Sequence, residues 1–161
     1  MGTPARLAIL AVSDLHLGMK FAGLPDAQAV LSEARFACLE RVVAVANERR
    51  VGLLLVAGDL FHQVSVARRD VLRAAEVLRG FEGPLAAVLP GNHDHLSPGQ
   101  DSLWPPFREA CGDRVLVLDG ARPYPLAHYD LDACLYPGPC RSLHSAANAV
   151  GWVNAAGRHP D

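Results

Sequence analysis

The chain has 161 residues, 50% of them hydrophobic and 20% charged, which suffices for one globular core but not for two independent ones. Its formal net charge of -2 excludes a protein drawn to nucleic acid or anionic membrane by global charge alone. The four cysteines form no Cys-x-x-Cys pair, so no disulfide framework is expected and a reducing cytoplasm is favoured.

The hydrophobic pattern predicts alternating strands and helices. Continuous apolar runs indicate buried strands, and apolar residues at helical spacing indicate helices. In chain order the pattern predicts a strand at 7–12, a helix at 26–50 with Asp26 as its cap, a strand at 53–58, a helix at 66–79 and a strand at 84–91. This alternation predicts a mainly parallel sheet, with the strand at 7–12 buried on both faces. That run is too short for a membrane span, so a soluble cytoplasmic protein is expected.

The rest of the chain carries weaker patterns. They predict a short helix near 102–110, a strand at 114–120, a strand or hairpin at 127–138 and a last helix over 141–156. No repeat or internal boundary interrupts the sequence, so residues 1–161 are expected to form a single α/β domain. Trp104 and Phe107 are expected to anchor the short helix to the core, with base stacking as the alternative.

Each of the first three predicted strands ends in a cluster of side chains of the metal-binding type. The clusters are "SDLHLG" with Asp14 and His16, "AGDLFH" with Asp59 and His62, and "PGNHDH" with Asn92, His93 and Asp94. Ligands bind beyond the carboxyl ends of the strands in open α/β sheets, so the three clusters should converge. Carboxylate, amide and imidazole donors without a thiolate suit Mn, Fe or Zn better than a structural zinc site.

Taken singly, each cluster has an ordinary explanation. A lone Asp-x-His pair is more often a turn aspartate beside an incidental histidine, Gly-Asp after a strand is similarly weak, and Asn-His alone is weaker. Three such clusters in order, each after a buried strand, make a shared metal centre the better interpretation. Gly58 and Gly91 support it, because glycine lets the backbone turn sharply just before a ligand.

The ordered motifs "SDLHLG", "GDLFH" and "GNHD" resemble the first three signature motifs of the calcineurin-like metallophosphoesterases. They are most similar to those of the Mre11/SbcD branch of DNA double-strand-break nucleases. The resemblance covers residues 7–94 and implies the family's layered α/β sandwich, of which this chain would supply the N-terminal portion. It also implies two divalent metal ions, with Mn²⁺ first and Fe, Zn or Mg as alternatives. By motif position, Asp14 and His16 would hold one metal, Asp59 would bridge both, and Asn92 would ligate the second.

The resemblance also implies the chemistry. His93 would act on the phosphate as an acid or charge-stabilising group, oriented by Asp94, and His62 would contact the substrate or lie beside the site. The implied activity is two-metal hydrolysis of phosphodiester bonds by a DNA exonuclease or endonuclease. One alternative is a phosphoesterase acting on a small nucleotide or phosphoprotein, and another is a catalytically incomplete binding module.

The sequence departs from the family pattern after residue 94. The family continues with a further histidine and a Gly-His-x-His motif, whereas His128, His144 and His159 lie in other settings. The chain is therefore expected to be truncated before its last metal-binding motifs, and to be inactive alone if it needs those ligands. The nuclease branch further implies a coiled-coil ATPase partner and a homodimer, and the composition predicts no membrane association.

Overall fold

The computed structural model describes residues 7–97 and 102–153. Within these residues, strands and helices follow in the order β1 (Ile9–Val12), α1 (Gln28–Glu48), β2 (Leu53–Ala57), α2 (Arg68–Arg79), β3 (Leu85–Leu89), α3 (Trp104–Cys111), β4 (Val115–Val117), β5 (Tyr124–Pro125) and β6 (Cys134–Leu135). Short 3₁₀ turns lie at Gly112–Arg114 and Ala127–Tyr129. None of the helices in the described stretches is long and apolar enough to cross a membrane.

The first four strands form one parallel sheet in the order β1-β2-β3-β4. Leu53 of β2 pairs with Ile9 of β1 on one side and with Leu85 of β3 on the other. Parallel neighbours need long crossovers, and α1, α2 and α3 lie within the three connections. The α/β class and the parallel sheet predicted from the alternating pattern are confirmed.

β1 differs from its prediction, since it is not buried on both faces. Ile9 is 52% exposed, while Leu10 and Val12 pack against the core. The reason is position: β1 is the edge strand of the sheet formed by the described residues, whereas β2 and β3 are central. A continuous apolar run therefore does not distinguish an edge strand from a central one.

The helices pack on one face of the sheet. Phe36 of α1, Val71 of α2 and Phe107 of α3 join strand residues such as Val88 in one core. Each large apolar side chain buried in this way contributes roughly 1.5–3 kcal/mol, so this layer fixes the helices to the strands. Trp104 is only 1% exposed and, like Phe107, anchors α3 as predicted.

The opposite face is covered by the antiparallel pair of β5 and β6. Tyr124, Leu126 and Leu131 from this region pack on Leu53 and Leu85. The strand or hairpin predicted over 127–138 is only partly present, because a 3₁₀ turn occupies its first residues and β6 pairs back with β5. The sheet is thus enclosed between helices and a small ribbon.

α1 begins later than predicted and lacks the predicted cap. Ala27 is its N-cap residue, and no side chain, Asp26 included, bonds the first turn. Its buried stripe begins only at Phe36, and Val30 near its start is 71% exposed.

The last predicted helix is absent from the described residues. Residues 141–153 form turns and bends with mostly exposed side chains, and residues 154–156 lie outside the described stretches. Ser142 Oγ donates to the carbonyl of His144, and Ser145 Oγ accepts the N–H of Ala147. Serine side chains that bond the local backbone in this way compete with helix formation.

Candidate metal centre

Backbone hydrogen bonds join the loops after β1 and β2 at the carboxyl edge of the sheet. The N–H of His16 donates to the carbonyl of Asp59 at 2.9 Å, and that of Leu17 donates to Leu60 at 2.8 Å. The N–H of His62 donates in turn to the carbonyl of Leu17 at 2.9 Å. These bonds continue the parallel pairing beyond the strands, so the two loops form one unit.

Asp59 links this unit to the loop after β3. The residue is 8% exposed, and its Oδ1 accepts the N–H of His93 at 2.9 Å. Gly91 lies directly against it, because a Cβ there would collide with the backbone nitrogen and carboxylate of Asp59. Gly58 has a φ of +106°, which side-chain-bearing residues rarely adopt. Gly91 is thus needed because a side chain would not fit there, and Gly58 because its backbone has a positive φ.

Three of the predicted ligands have a left-handed backbone. Asp14, His16 and Asp59 have φ values of +59°, +47° and +53°. Such conformations are uncommon for residues other than glycine, cost roughly 1–3 kcal/mol each and cluster at functional sites. Among the described residues, the only other non-glycine positions with positive φ are Arg50 and Asp130. Backbone strain is therefore concentrated where the motifs meet.

Three imidazoles face one another at this edge. The rings of His16 and His93 meet edge to face with centroids 4.8 Å apart, and those of His62 and His93 stack at 5.5 Å. One ring nitrogen from each of the three lies within 4.8 Å of the others. The structure thus brings His62 into the group, although the sequence could not decide between a place in the site and one beside it.

A second group of ligand atoms overlaps the first. Asp14, His16 and Asp59 each present an atom within 4.8 Å of the other two, and His16 belongs to both groups. Asn92 precedes His93 in the third loop, and its Nδ2 donates to the carbonyl of Leu143 at 3.2 Å, which leaves its Oδ1 free to bind a cation. Two overlapping groups of donors suit two neighbouring divalent cations.

Two buried imidazole nitrogens test whether a cation fits these donors. Among the described residues, Nδ1 of His16 and Nδ1 of His62 are buried without a hydrogen-bond partner. Such atoms are rare in folded proteins, and a bound ion is one of the explanations. Burial, assisted by the neighbouring rings of His16 and His93, lowers the pKa of His62 and keeps its imidazole neutral, the form that binds metal. The residues present therefore fit a divalent cation.

Asp94 does not touch the ring that it was expected to orient. Nδ1 of His93 lies 3.0 Å from the carbonyl of His62, which fixes that nitrogen as the donor. The fully buried Asp94 carboxylate instead accepts the N–H groups of Gly91 at 2.6 Å and Phe61 at 3.0 Å. A buried carboxylate needs such donors, and burial still raises the pKa of Asp94 to about 6. Asp94 therefore ties the second loop to the third, and the carbonyl of His62 orients the ring.

Cys140 reaches the site from a segment without a motif. Its N–H donates to the carbonyl of Pro90 at 3.1 Å, and its carbonyl accepts the N–H of Leu96 at 2.9 Å. Burial and then the charges of Asp59 and Asp94 raise the pKa of its thiol, and Cys140 belongs to neither group of potential ligand atoms. The donor set remains oxygen and nitrogen.

Arg35 of α1 supports the first loop. Its guanidinium donates to the carbonyl of Leu15 at 2.8 Å and to the sulfur of Met19 at 3.3 Å. Leu15 lies between Asp14 and His16, so the contact holds the strained segment that carries both side chains. The sequence did not reveal this role, because the partner of Arg35 is a backbone carbonyl.

Replacing Arg35 with methionine should loosen the first loop while keeping an apolar stem. The lost hydrogen bond from a charged group should lower the free energy of unfolding by about 1.5–3 kcal/mol. Affinity for Mn²⁺ should fall by about tenfold, the lower end of effects seen on removing groups that orient ligands. Calorimetric titration and thermal unfolding measure the two quantities.

Arg41→Met on the same helix is the matched control for Arg35. Arg41 forms an exposed salt bridge with Glu48, and such pairs contribute at most about 1 kcal/mol. We expect unchanged Mn²⁺ affinity in this variant. Equal losses of affinity in both variants would contradict the positioning role of Arg35.

Comparison with known proteins places the motif loops in a family. Residues 7–146 match the family described as calcineurin-like phosphoesterase. The DNA double-strand break repair protein Mre11 of Aeropyrum pernix is 33% identical over 119 residues, which are 71% of this chain and 28% of that protein. The uncharacterized metallophosphoesterase YhaO of Bacillus subtilis is 33% identical over 99 residues, or 56% of this chain and 24% of that protein.

A plant relative shows the same similarity over a shorter stretch. The double-strand break repair protein MRE11 of Arabidopsis thaliana is 32% identical over 73 residues, or 45% of this chain and 9% of that protein. The chain spans less than a third of the length of each of these relatives. The resemblance to the metallophosphoesterases, and among them to Mre11-like proteins, is confirmed. With its three motif loops inside the matched region, the chain belongs to the calcineurin-like phosphoesterase family.

Proposed function

We propose that this protein is a metal-dependent phosphodiesterase that hydrolyses DNA as an exonuclease or endonuclease of the SbcD/Mre11 kind, with Mn²⁺ as its metal. The observation that carries the proposal is the pair of ligand groups that overlap at His16. Two metals side by side suit in-line displacement at phosphorus. The similarity to proteins named for DNA double-strand break repair supports DNA as the substrate.

The proposed ligands are Asp14, His16, Asp59 and Asn92, with Asp59 as the bridge. Divalent cations, when bound there, supply an activated water and neutralise charge on the phosphoryl oxygens. The chain keeps the ligands in place, since Asp59 is fixed by the N–H of His93 and by the close approach of Gly91. Preorganised ligands need little rearrangement during the reaction.

His93 is proposed to meet the substrate phosphate. Its Nδ1 donates to the carbonyl of His62, so Nε2 is the nitrogen left for the substrate, and in the doubly protonated ring Nε2 would donate a proton or a hydrogen bond to a phosphoryl or leaving oxygen. The ring of His62 stacks on that of His93 with an interplanar angle of 22°, and we propose that it contacts the same phosphate or a cation. Asp94 supports both residues through the backbone of their loops.

Manganese-dependent hydrolysis tests this function. Linear DNA and a simple aryl phosphodiester are each incubated with the protein and with its Asp59→Ala variant. We expect DNA hydrolysis that requires Mn²⁺ and falls at least about a hundredfold in the variant, the size of effect typical of losing one preorganised catalytic contact. Equal activity of the two proteins would refute the proposal.

The aryl phosphodiester separates the alternative substrates. Hydrolysis of the aryl phosphodiester but not of DNA would favour a phosphoesterase acting on a small nucleotide or phosphoprotein. Failure to bind Mn²⁺ would favour the catalytically incomplete binding module.

We also propose partners for this protein, because it resembles the SbcD/Mre11 branch. A coiled-coil ATPase and a second copy of this protein are the proposed partners, and the cytoplasm is the proposed compartment. Residues 1–161 are proposed to fold as a single metallophosphoesterase domain.

A further inference from the structure

A groove opens beside the metal centre on the side of Asn92. It has a volume of about 760 Å³, and Asn92 itself forms part of its wall. Most of the other lining residues belong to the turn-rich segment 139–149 and include Arg141, His144 and Ser145. None of the described residues that line the groove is acidic. Its lining therefore suits an anion.

The segment is held against the third motif loop on both sides of Arg141. Before it, the N–H of Cys140 donates to the carbonyl of Pro90 at 3.1 Å. After it, the carbonyl of Leu143 accepts the side-chain amide of Asn92 at 3.2 Å. These bonds hold the backbone on both sides of Arg141 against the loop that carries Asn92, a proposed metal ligand. They do so although the segment has no regular secondary structure.

Arg141 is the charged group of the groove. Within residues 7–97 and 102–153 it forms no salt bridge, whereas Arg73 is paired with Glu33 and Glu40. A guanidinium binds phosphate oxygens in a bidentate fashion, and an unpaired one is available to do so. Ser145 adds a hydroxyl whose oxygen accepts the N–H of Ala147, which leaves its hydrogen free to donate to an anion.

We propose that this groove binds a phosphate of a polynucleotide strand next to the phosphate at the metal centre, with Arg141 as its cation. The inference rests on the proposed function and adds to it a second phosphate contact on the substrate strand. Because Asn92 belongs to both the groove and the centre, a strand lying across the centre continues into the groove. A phosphate contact of this kind positions the strand without reading its bases. A small phosphodiester is too short to occupy both places.

Binding without hydrolysis tests the groove. A fluorescently labelled single-stranded oligonucleotide is titrated with the protein in EDTA over a range of salt concentrations. Arg141→Ala should bind more weakly, and the slope of log affinity against log salt should shrink by about 0.7, the value for one phosphate contact on single strands. Arg141→Lys should restore the slope, because it restores the charge.

Arg49→Ala is the matched control for the groove. Arg49 is also exposed and without a salt bridge among the described residues, but it lies at the far end of α1, near the amino edge of the sheet. Its removal should leave affinity and slope unchanged. Equal binding by Arg141→Ala and the parent, equal losses in both variants, or no binding by the parent would each overturn the inference. So would full competition by a mononucleotide at the affinity of the oligonucleotide.

The oligonucleotide-binding experiment and the hydrolysis experiment can fail independently of each other. The groove is measured in EDTA, so its outcome does not depend on metal chemistry. The hydrolysis test varies Asp59, which is not among the residues that line the groove. Loss of the Asp59 effect with an intact Arg141 effect would refute the metal centre, and the reverse would refute only the groove.

Discussion

Replacing Asp59 with asparagine is expected to remove tight Mn²⁺ binding while the fold survives. The amide oxygen can still accept the N–H of His93, which the native carboxylate accepts at 2.9 Å, and the volume of the side chain is unchanged. The negative charge and one oxygen donor are lost. Because changes to groups that merely orient ligands already cost about 10–100-fold in affinity, we expect a loss of more than about 100-fold. Isothermal titration calorimetry with Mn²⁺ measures it.

Asp113→Asn controls for the change in net charge. Asp113 is exposed in the 3₁₀ turn before β4, so its variant should bind Mn²⁺ like the parent. Circular dichroism of Asp59→Asn should match that of the parent, which separates loss of a ligand from unfolding. Parent-like Mn²⁺ affinity in Asp59→Asn would remove Asp59 from the metal centre.

Replacing Gly91 with alanine is expected to damage both stability and metal binding. The added Cβ would collide with the backbone nitrogen of Asp59 and would lie 2.8 Å from its Cγ. Backbone cannot move aside as a flexible side chain can, so the loops must separate. Overpacking of this kind lowers the free energy of unfolding by about 1–3 kcal/mol. The displaced carboxylate should weaken Mn²⁺ binding by at least about tenfold.

Gly23→Ala separates this steric effect from the general effect of replacing glycine. A Cβ at Gly23 would meet no atom within 4 Å, and its φ is not positive. Replacing such a glycine is neutral or stabilises by up to about 1 kcal/mol. Denaturant unfolding measures the stability of both variants, and titration measures their affinity for Mn²⁺. Parent-like behaviour of Gly91→Ala would mean that the close approach of the two loops is not needed.

The parallel sheet and the meeting of the three motif loops could be predicted from sequence for a common reason. Apolar runs broken by ligand-type residues are local patterns, and parallel strands place their carboxyl ends at one edge. That rule alone predicts that Asp14, Asp59 and Asn92 lie at the same edge of the sheet. The edge position of β1 depends on which strands lie beside it, and no local pattern records that. Within the described residues the last predicted helix is absent, and serine side chains there bond the local backbone instead.

The supporting contacts of the site escaped prediction for a different reason. Arg35 and Cys140 act through backbone carbonyls and amides, which every residue has, so their roles leave no mark in the sequence. Asp94 was expected beside the ring of His93 because the resemblance to the metallophosphoesterases implied it. Its burial instead directed the carboxylate to the N–H groups of Gly91 and Phe61.

Because Asp14, His16 and Asp59 have a left-handed backbone, the residue type that is best for stability at these positions differs from the type that can bind a cation. Glycine is the residue that this backbone accepts most easily, but glycine has no side-chain atom with which to hold a cation. The residue best suited to each conformation is therefore inert, and the residue that can act there strains the chain. Selecting variants of this protein for thermal stability alone would therefore favour glycine at these positions and remove the ligands of the proposed metal centre.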